Sequence, residues 1–240
     1  MNIALIGYGK MGKVIEEIAV SRGHKITAKS TSENPINQLD FSQIDVAIEF
    51  STPVMAVRHI EFCAYKSTPI VVGTTAWDSQ LPYVKDMIEE KQGSLVYASN
   101  FSVGVNIFFE INRKLAELMS NYSDYKPEVE EIHHTQKLDA PSGTATSLAN
   151  DILSENKNIS SWIHQENTLP VTTQTQMGVV SQRIEGVPGT HEVKYNSEID
   201  SLEIKHTAHN RKGFALGAVL AAEWLLGKKG TYTMQDVIKN

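Results

Sequence analysis

The sequence holds a single cysteine, no dense block of lysine or arginine, no internal repeat and no long apolar run. Each shortage excludes something. One cysteine can form no internal disulfide, and Cys63 falls in an apolar helical pattern, which predicts a buried structural thiol and no nucleophile. A transmembrane helix needs roughly 20 apolar residues. The opening MNIALIG is far shorter and follows no basic segment, so neither a signal peptide nor a membrane anchor is expected, and a cytoplasmic protein is. The formal charge of -6 is carried without any cationic cluster, which argues against nucleic acid or an anionic membrane surface as partner. The remaining class is chemistry on small molecules.

A chain of 240 residues with 41% hydrophobic content has room for one sizeable α/β domain or two small ones. Over the first hundred residues, NIALIG, HKITA, DVAIEF, PIVVG and SLVYA read as strands, several of them almost wholly apolar, as parallel strands covered on both faces are. Helical spacing lies between them in KVIEEIAVSR, PVMAVRHIEFCAYK and QLPYVKDMIEEKQ. Alternation of this kind predicts right-handed βαβ units and a Rossmann-type, doubly wound parallel sheet over residues 1–102. The polar stretch 31–40, with Pro35, predicts a short irregular second crossover.

Beyond Asn100 the pattern changes. VNIFFEINRKLAELMSNY predicts a long amphipathic helix, PEVEEIHHT a strand and TATSLANDILSEN a helix. VVSQRIEG, THEVKYN and SLEIKHTA alternate at period two, which predicts a mixed or antiparallel sheet with one covered face. A second, α+β domain over 103–213 is expected, with a C-terminal helical segment, 214–240, packing back on the first.

Gly7-Tyr8-Gly9-Lys10-Met11-Gly12 follows the first strand and precedes a helix expected from Lys13. In that setting Gly7 makes the tight turn, Gly9 admits a pyrophosphate to the backbone and Gly12 allows close helix-to-strand packing. The acid usual about 20 positions on, which would hold an adenine ribose hydroxyl, is missing. Thr27-Ala28-Lys29-Ser30-Thr31-Ser32 stands there instead. Lys29 with neighbouring hydroxyls suits a 2′-phosphate, so NADPH is favoured, with NADH also plausible. Two loops at strand C-termini, Val72-Gly73-Thr74-Thr75 and Ala98-Ser99-Asn100-Phe101-Ser102, complete the outline of a cofactor cleft.

The run EEIHHTQKLDAPSGTA concentrates titratable groups. On a strand, His133 and His134 point to opposite faces, so one can move protons while the other contacts substrate. Lys137 can donate a proton or bind a carboxylate. Ser142 is a plausible helix cap, and the free amides of Gly143 and Thr144 form an anion site. Zinc, with His191, His206 and His209 as further ligands, is the rival. Without HExxH or a thiolate cluster, no metal is expected. Taken together, these residues suit a small carboxylate-rich substrate beside a nicotinamide.

HHTQKLDAPSGTA resembles the signature of the 4-hydroxy-tetrahydrodipicolinate reductase (dihydrodipicolinate reductase) family of bacterial lysine and diaminopimelate biosynthesis. GYGKMG, VGTT, ASNFSVGVN and EGVPGTHEV stand in the family's order, so the resemblance spans essentially the whole chain. It implies reduction of a cyclic imine dicarboxylate by NADH or NADPH and a homotetramer assembled through the second domain's sheet. It also implies His133 as proton donor/acceptor, Lys137 as proton donor, and His134, Gly143 and Thr144 as substrate contacts. Gly7 to Gly12, Gly73 to Thr75 and Ala98 to Phe101 would hold the cofactor. Two other classes remain open: a non-catalytic NAD(P)-binding sensor and a metal-dependent hydrolase.

Overall fold

The computed structural model describes residues 1–239. The chain divides into two compact units, one formed by Met1–Asn106 and the chain from Lys212 onward, the other by Ile107–Arg211.

The first unit is a six-stranded, fully parallel sheet in the order β11-β5-β4-β3-β1-β2. Its strands are β1 Asn2–Ile6, β2 Lys25–Ser30, β3 Val46–Glu49, β4 Ile70–Val72, β5 Ser94–Tyr97 and β11 Gly230–Tyr232. The helices are α1 Lys10–Ser21, α2 Pro53–Tyr65, α3 Leu81–Glu90, α6 Lys212–Leu225 and α7 Met234–Ile238. Successive strand residues face opposite layers. Ala4, Ile6, Ala47 and Leu95 join one core with Ile60 and Val84 of α2 and α3. Ile3, Leu5, Val46 and Val96 join the other with Ile15 of α1 and Ala218, Ala222 and Leu225 of α6. Each such Ile or Leu contributes about 1.5–3 kcal/mol by leaving water, which explains why these strands read as continuous apolar runs.

Two expectations are corrected here. Helix α1 begins at Lys10, so Lys10, Met11 and Gly12 form its first turn. The segment expected as one helix over 214–240 is a helix only to Leu225. Gly227 (φ +75°) and Gly230 (φ +115°) turn the chain into β11 and then α7, because glycine reaches such angles without steric cost. Residue 240 lies outside the described residues. The second crossover holds a single 3₁₀ turn, Ile36–Gln38.

The second unit is a mixed five-stranded sheet, β10-β9-β6-β8-β7. Strands β6 Lys126–His133, β8 Gln176–Arg183 and β7 Ser161–Glu166 run parallel, while β9 Thr190–Asn196 and β10 Ser201–Thr207 join antiparallel. β7 had no counterpart among the expected strands. Helices α4 Val103–Met119 and α5 Gly143–Glu155 accompany it in the chain, and the amide of Asn112 in α4 donates to Leu148 O in α5 at 3.1 Å. No helix among the described residues is long and apolar enough to cross a membrane.

Candidate active site

In the first unit, strand order reverses at β1, whose neighbours are β2 on one side and β3 on the other. Open parallel sheets bind ligands at such a switch point, beyond the strand C-termini. The loops after β1, β3, β4 and β5 there carry most of the residues singled out above. Gly7 adopts φ +89°, and a Cβ on it would stand 2.1 Å from Phe50 O in the β3 loop. A Cβ on Gly73 would meet the Phe50 ring at 2.2 Å, and one on Gly12 would meet Gly7 O at 2.5 Å. These three glycines therefore serve the protein's own packing. Gly9 differs: it is the α1 N-cap, makes no side-chain cap bond, and a Cβ there would have no neighbour within 4 Å. The space beside it, fronted by the unpaired first-turn amides of α1, is what a pyrophosphate requires. On this observation the residues fit a dinucleotide.

Thr74, Thr75, Tyr97, Ala98 and Ser99 line a small cleft with Trp77 at its side. Its walls are braced by groups with no counterpart in the reading of the sequence. Thr74 Oγ1 accepts the Ser51 N–H at 2.8 Å, and the buried Glu49 carboxylate also accepts from Ser51. Asn106 donates to Asn100 O and Ser102 O, both at 2.9 Å, while Phe101 is buried with its ring 5.9 Å from that of Phe50. Lys29, at the end of β2, is no free cation: it pairs with Glu16 at 2.7 Å and lies over the Tyr8 ring. An acid thus reaches this place from α1. Cys63 is fully buried, and burial pushes its thiol well above the usual range.

In the second unit, β6 alternates in burial along its length and ends with His133 buried and the next residue, His134, half-exposed. The alternation puts Glu131 on the His133 face. Glu131 is completely buried, and its Oε2 lies 3.0 Å from His133 Nδ1. Its Oε1 accepts the Ser142 N–H at 2.9 Å and the Ser181 hydroxyl at 2.7 Å, and Arg183 Nη2 stands 3.3 Å away. Burial alone would raise this carboxyl, but hydrogen bonds from His133, Ser142 and Ser181 outweigh it and hold the group well below the usual carboxylate range. His191 is buried beneath, with its ring 5.0 Å from that of His133. Desolvation, with help from the neighbouring His133, lowers its pKa to about 3, so it is neutral at working pH.

Lys137 lies in the loop after β6 and donates to both oxygens of Asp139 at 2.8 and 2.9 Å. Ser142 caps α5 by accepting the Ala145 N–H at 3.2 Å. Gly143 and Thr144 are the first residues of that helix, where amides have no intrahelical acceptor. His133, His134, Lys137, Gly143 and Thr144 all follow from one strand end and one helix start. Among the described residues, one set of metal-ligand types converges, Glu131, His133 and His191, without His206 or His209. Its carboxylate is already engaged by a guanidinium, which opposes a cation there.

The fold and the first unit's glycine turn define a Rossmann-type dinucleotide-binding protein with a second α+β unit. Comparison narrows the class. The family described as "Dihydrodipicolinate reductase, N-terminus" matches residues 1–101, and "Dihydrodipicolinate reductase, C-terminus" matches residues 104–238. A 4-hydroxy-tetrahydrodipicolinate reductase of Christiangramia forsetii is 47% identical over 240 residues, covering 100% of this chain and 98% of the relative. One from Thermosipho africanus is 35% identical, with 100% and 98% covered. The dipicolinate-bound dihydrodipicolinate reductase of Paenisporosarcina sp. TG-14 shares the fold, with a TM-score of 0.74 at 21% identity over 97% of each chain. The chain belongs to the dihydrodipicolinate reductase family.

Proposed function

We propose that His133 and Lys137 supply the protons, and His134 and the amides of Gly143 and Thr144 the substrate contacts, of a 4-hydroxy-tetrahydrodipicolinate reductase. The chain is an NAD(P)H-dependent oxidoreductase of lysine and diaminopimelate biosynthesis. It reduces its substrate, a small cyclic dicarboxylate, to tetrahydrodipicolinate. The observation that carries the assignment of roles is the convergence of His133, the Lys137 loop and the α5 N-terminus on one buried carboxylate, Glu131.

When bound, the reduced nicotinamide supplies a hydride to the unsaturated ring. The 4-hydroxyl leaves as water, and the enamine left by hydride addition takes a proton. Lys137 donates that proton, and the ordered ring of His133 exchanges one with the substrate, a role typically worth 10²–10⁴-fold in rate. The substrate's carboxylates need charge-assisted partners once out of water. The unpaired amides opening α5 and the Lys137 ammonium meet that need. The loops Gly7 to Gly12, Gly73 to Thr75 and Ala98 to Phe101 would hold the dinucleotide in the first unit, with Gly7, Gly12 and Gly73 shaping them.

Lys29 in place of an acid on β2 supports NADPH as the preferred donor. Its pairing with Glu16 neutralises part of that advantage, which supports continued use of NADH. A homotetramer built on the second unit's sheet is proposed with it, and the exposed apolar side chains of Leu202 and Ile163 on strands β10 and β7 support it. Light scattering of the purified protein reads the state directly.

The deciding assay follows loss of nicotinamide absorbance with NADPH and NADH in parallel, on the fresh condensation product of pyruvate and aspartate semialdehyde. Oxidation by wild type and a fall of about 10²-fold or more in Lys137→Ala support the reading. Cofactor binding without oxidation would make the protein a sensor instead.

A further inference from the structure

Glu131 makes more polar contacts than packing requires. An ionised carboxylate taken wholly out of water is costly unless every oxygen is answered, and an apolar side chain of similar volume would fill the same place without that cost. Oε1 accepts hydrogen bonds, Oε2 lies close to His133 and His191 without completing one, and the groups around the two oxygens come from four elements. Ser142 N–H belongs to the cap of α5, Ser181 and Arg183 to β8, His133 to β6, and His191 Nε2, 3.8 Å from Oε2, to β9. Arg183 passes the connection on. Its Nη2 donates to Asp139 O at 2.7 Å and its Nε to Lys137 O at 3.4 Å. The main chain carrying Lys137 is thereby tied to the same carboxylate. His191 adds a second brace on the cap, with Nε2 3.2 Å from Ser142 Oγ.

The two ring nitrogens of His133 have different surroundings. Nδ1 faces Glu131 at 3.0 Å. Nε2 faces Gly189, where a Cβ would lie only 3.0 Å away, so the lack of a side chain there leaves that edge uncrowded. A carboxylate accepts and cannot donate. At 3.0 Å the Glu131 carboxylate favours a hydrogen on Nδ1, although the ring is not turned to complete that bond, and Nε2 is left as the atom that exchanges a proton.

We propose that Glu131 is the positioning residue of this site: it sets the tautomer and aim of His133, and through Ser142 and Arg183 it holds the α5 amides and the Lys137 loop in register with that ring. The inference rests on the roles proposed above for His133 and Lys137. No proton is transferred to Glu131 itself. It acts through the groups it orients, as the buried acid of a Ser-His-Asp triad does.

The test compares Glu131→Gln and Glu131→Asp with wild type in the full-length protein. Four quantities are read: kcat and KM, the Kd of dipicolinate by calorimetry, the Kd of NADPH by fluorescence titration, and the ¹⁵N signals of His133. The amide of Gln can present a donor to Nδ1, so the tautomer is no longer fixed. Glu131→Gln is expected to lose about 10²-fold or more in kcat, to weaken dipicolinate several-fold, and to bind NADPH within twofold of wild type. Its His133 signals shift from the Nδ1–H form to a mixture. Glu131→Asp keeps the charge and restores part of kcat. Retention of kcat within threefold in Glu131→Gln overturns the proposal, as does an unchanged His133 tautomer. Parallel loss of NADPH binding and of melting temperature in both variants reduces Glu131 to a fold residue and overturns it too. So does stoichiometric zinc in the purified wild type, which would make Glu131, His133 and His191 a metal centre. Absence of NAD(P)H oxidation by wild type is a different result and sinks the reductase reading itself.

Discussion

The ammonium of Lys29 stands 2.7 Å from the Glu16 carboxylate, and the Tyr8 phenol bridges them, accepting from Lys29 at 3.1 Å and donating to Glu16. The hydrogen bond to Glu16 raises the Lys29 pKa, and the bonds from Lys29 and Tyr8 lower that of Glu16. A 2′-phosphate recognised by Lys29 must compete with this carboxylate. Glu16→Gln should therefore tighten NADPH severalfold and leave NADH nearly unchanged. Lys29→Ala should bring the two affinities together. The pair is partly exposed, so the effect stays within about tenfold and shrinks with added salt. Fluorescence titration of both dinucleotides at two ionic strengths checks it, and no change in the NADPH-to-NADH ratio in either variant would remove Lys29 from cofactor recognition.

Two glycines of one motif separate folding from binding. Gly7→Ala places a Cβ 2.1 Å from Phe50 O at φ +89°, and should cost at least about 1–3 kcal/mol of stability. Gly9→Ala, at φ -87° with no neighbour within 4 Å, should melt like wild type. It should nevertheless weaken the dinucleotide by about tenfold or more, because the methyl group occupies the approach to the α1 amides. Thermal melts with and without NADPH distinguish them. A Gly9→Ala variant that binds normally would deny that the turn receives the pyrophosphate.

Lys137 rests on Asp139, whose carboxylate is more than half exposed. An ion pair so open to water contributes roughly 0–1 kcal/mol, so the ammonium is easily given up to a substrate carboxylate. Asp139→Asn should change KM by less than about tenfold and leave kcat close to wild type, in contrast to Lys137→Ala. Steady-state kinetics on both variants reads this, and an equal collapse in the two would make Asp139 part of the proton path.

The architecture was largely legible because its signals are local. Period-two alternation in PEVEEIHH and the near-continuous apolar strands of the first unit survive without tertiary context. The missed strand β7, SWIHQE, is half-exposed at a sheet edge and carries little apolar signal. The 214–240 segment misled because α6 is apolar all round, and the breaks at Gly227 and Gly230 depend on left-handed angles that sequence does not announce. Of the proposed site, the sequence showed the candidate groups and hid those that brace them. Arg183 and Ser181 reach Glu131 across a parallel β6–β8 pairing about fifty residues apart in the chain. Phe50 matters through its backbone and ring beside two glycines. Glu131 itself was findable, since the alternation that buries Val129 and His133 buries it as well.

His191 provides the pH signature of the second unit. It faces Glu131 and His133 of β6, Ser142 at the α5 cap and His206 of β10, with Lys137 adding charge from the loop. Desolvation, first, and the nearby His133 bring its pKa to about 3 in the folded state, against about 6.5 in an unfolded chain. Between those values the unfolded chain binds the extra proton, so stability rises with pH. The contribution is complete above about pH 6.5 and is lost as the pH falls toward 3. Glu131, held further down by its hydrogen bonds, keeps its charge throughout that window. In His191→Gln the urea midpoint should vary less between pH 6.5 and 4 than in wild type, even if the variant is less stable at neutral pH. Parallel slopes for the two proteins across that range would show that His191 is not buried in its neutral form.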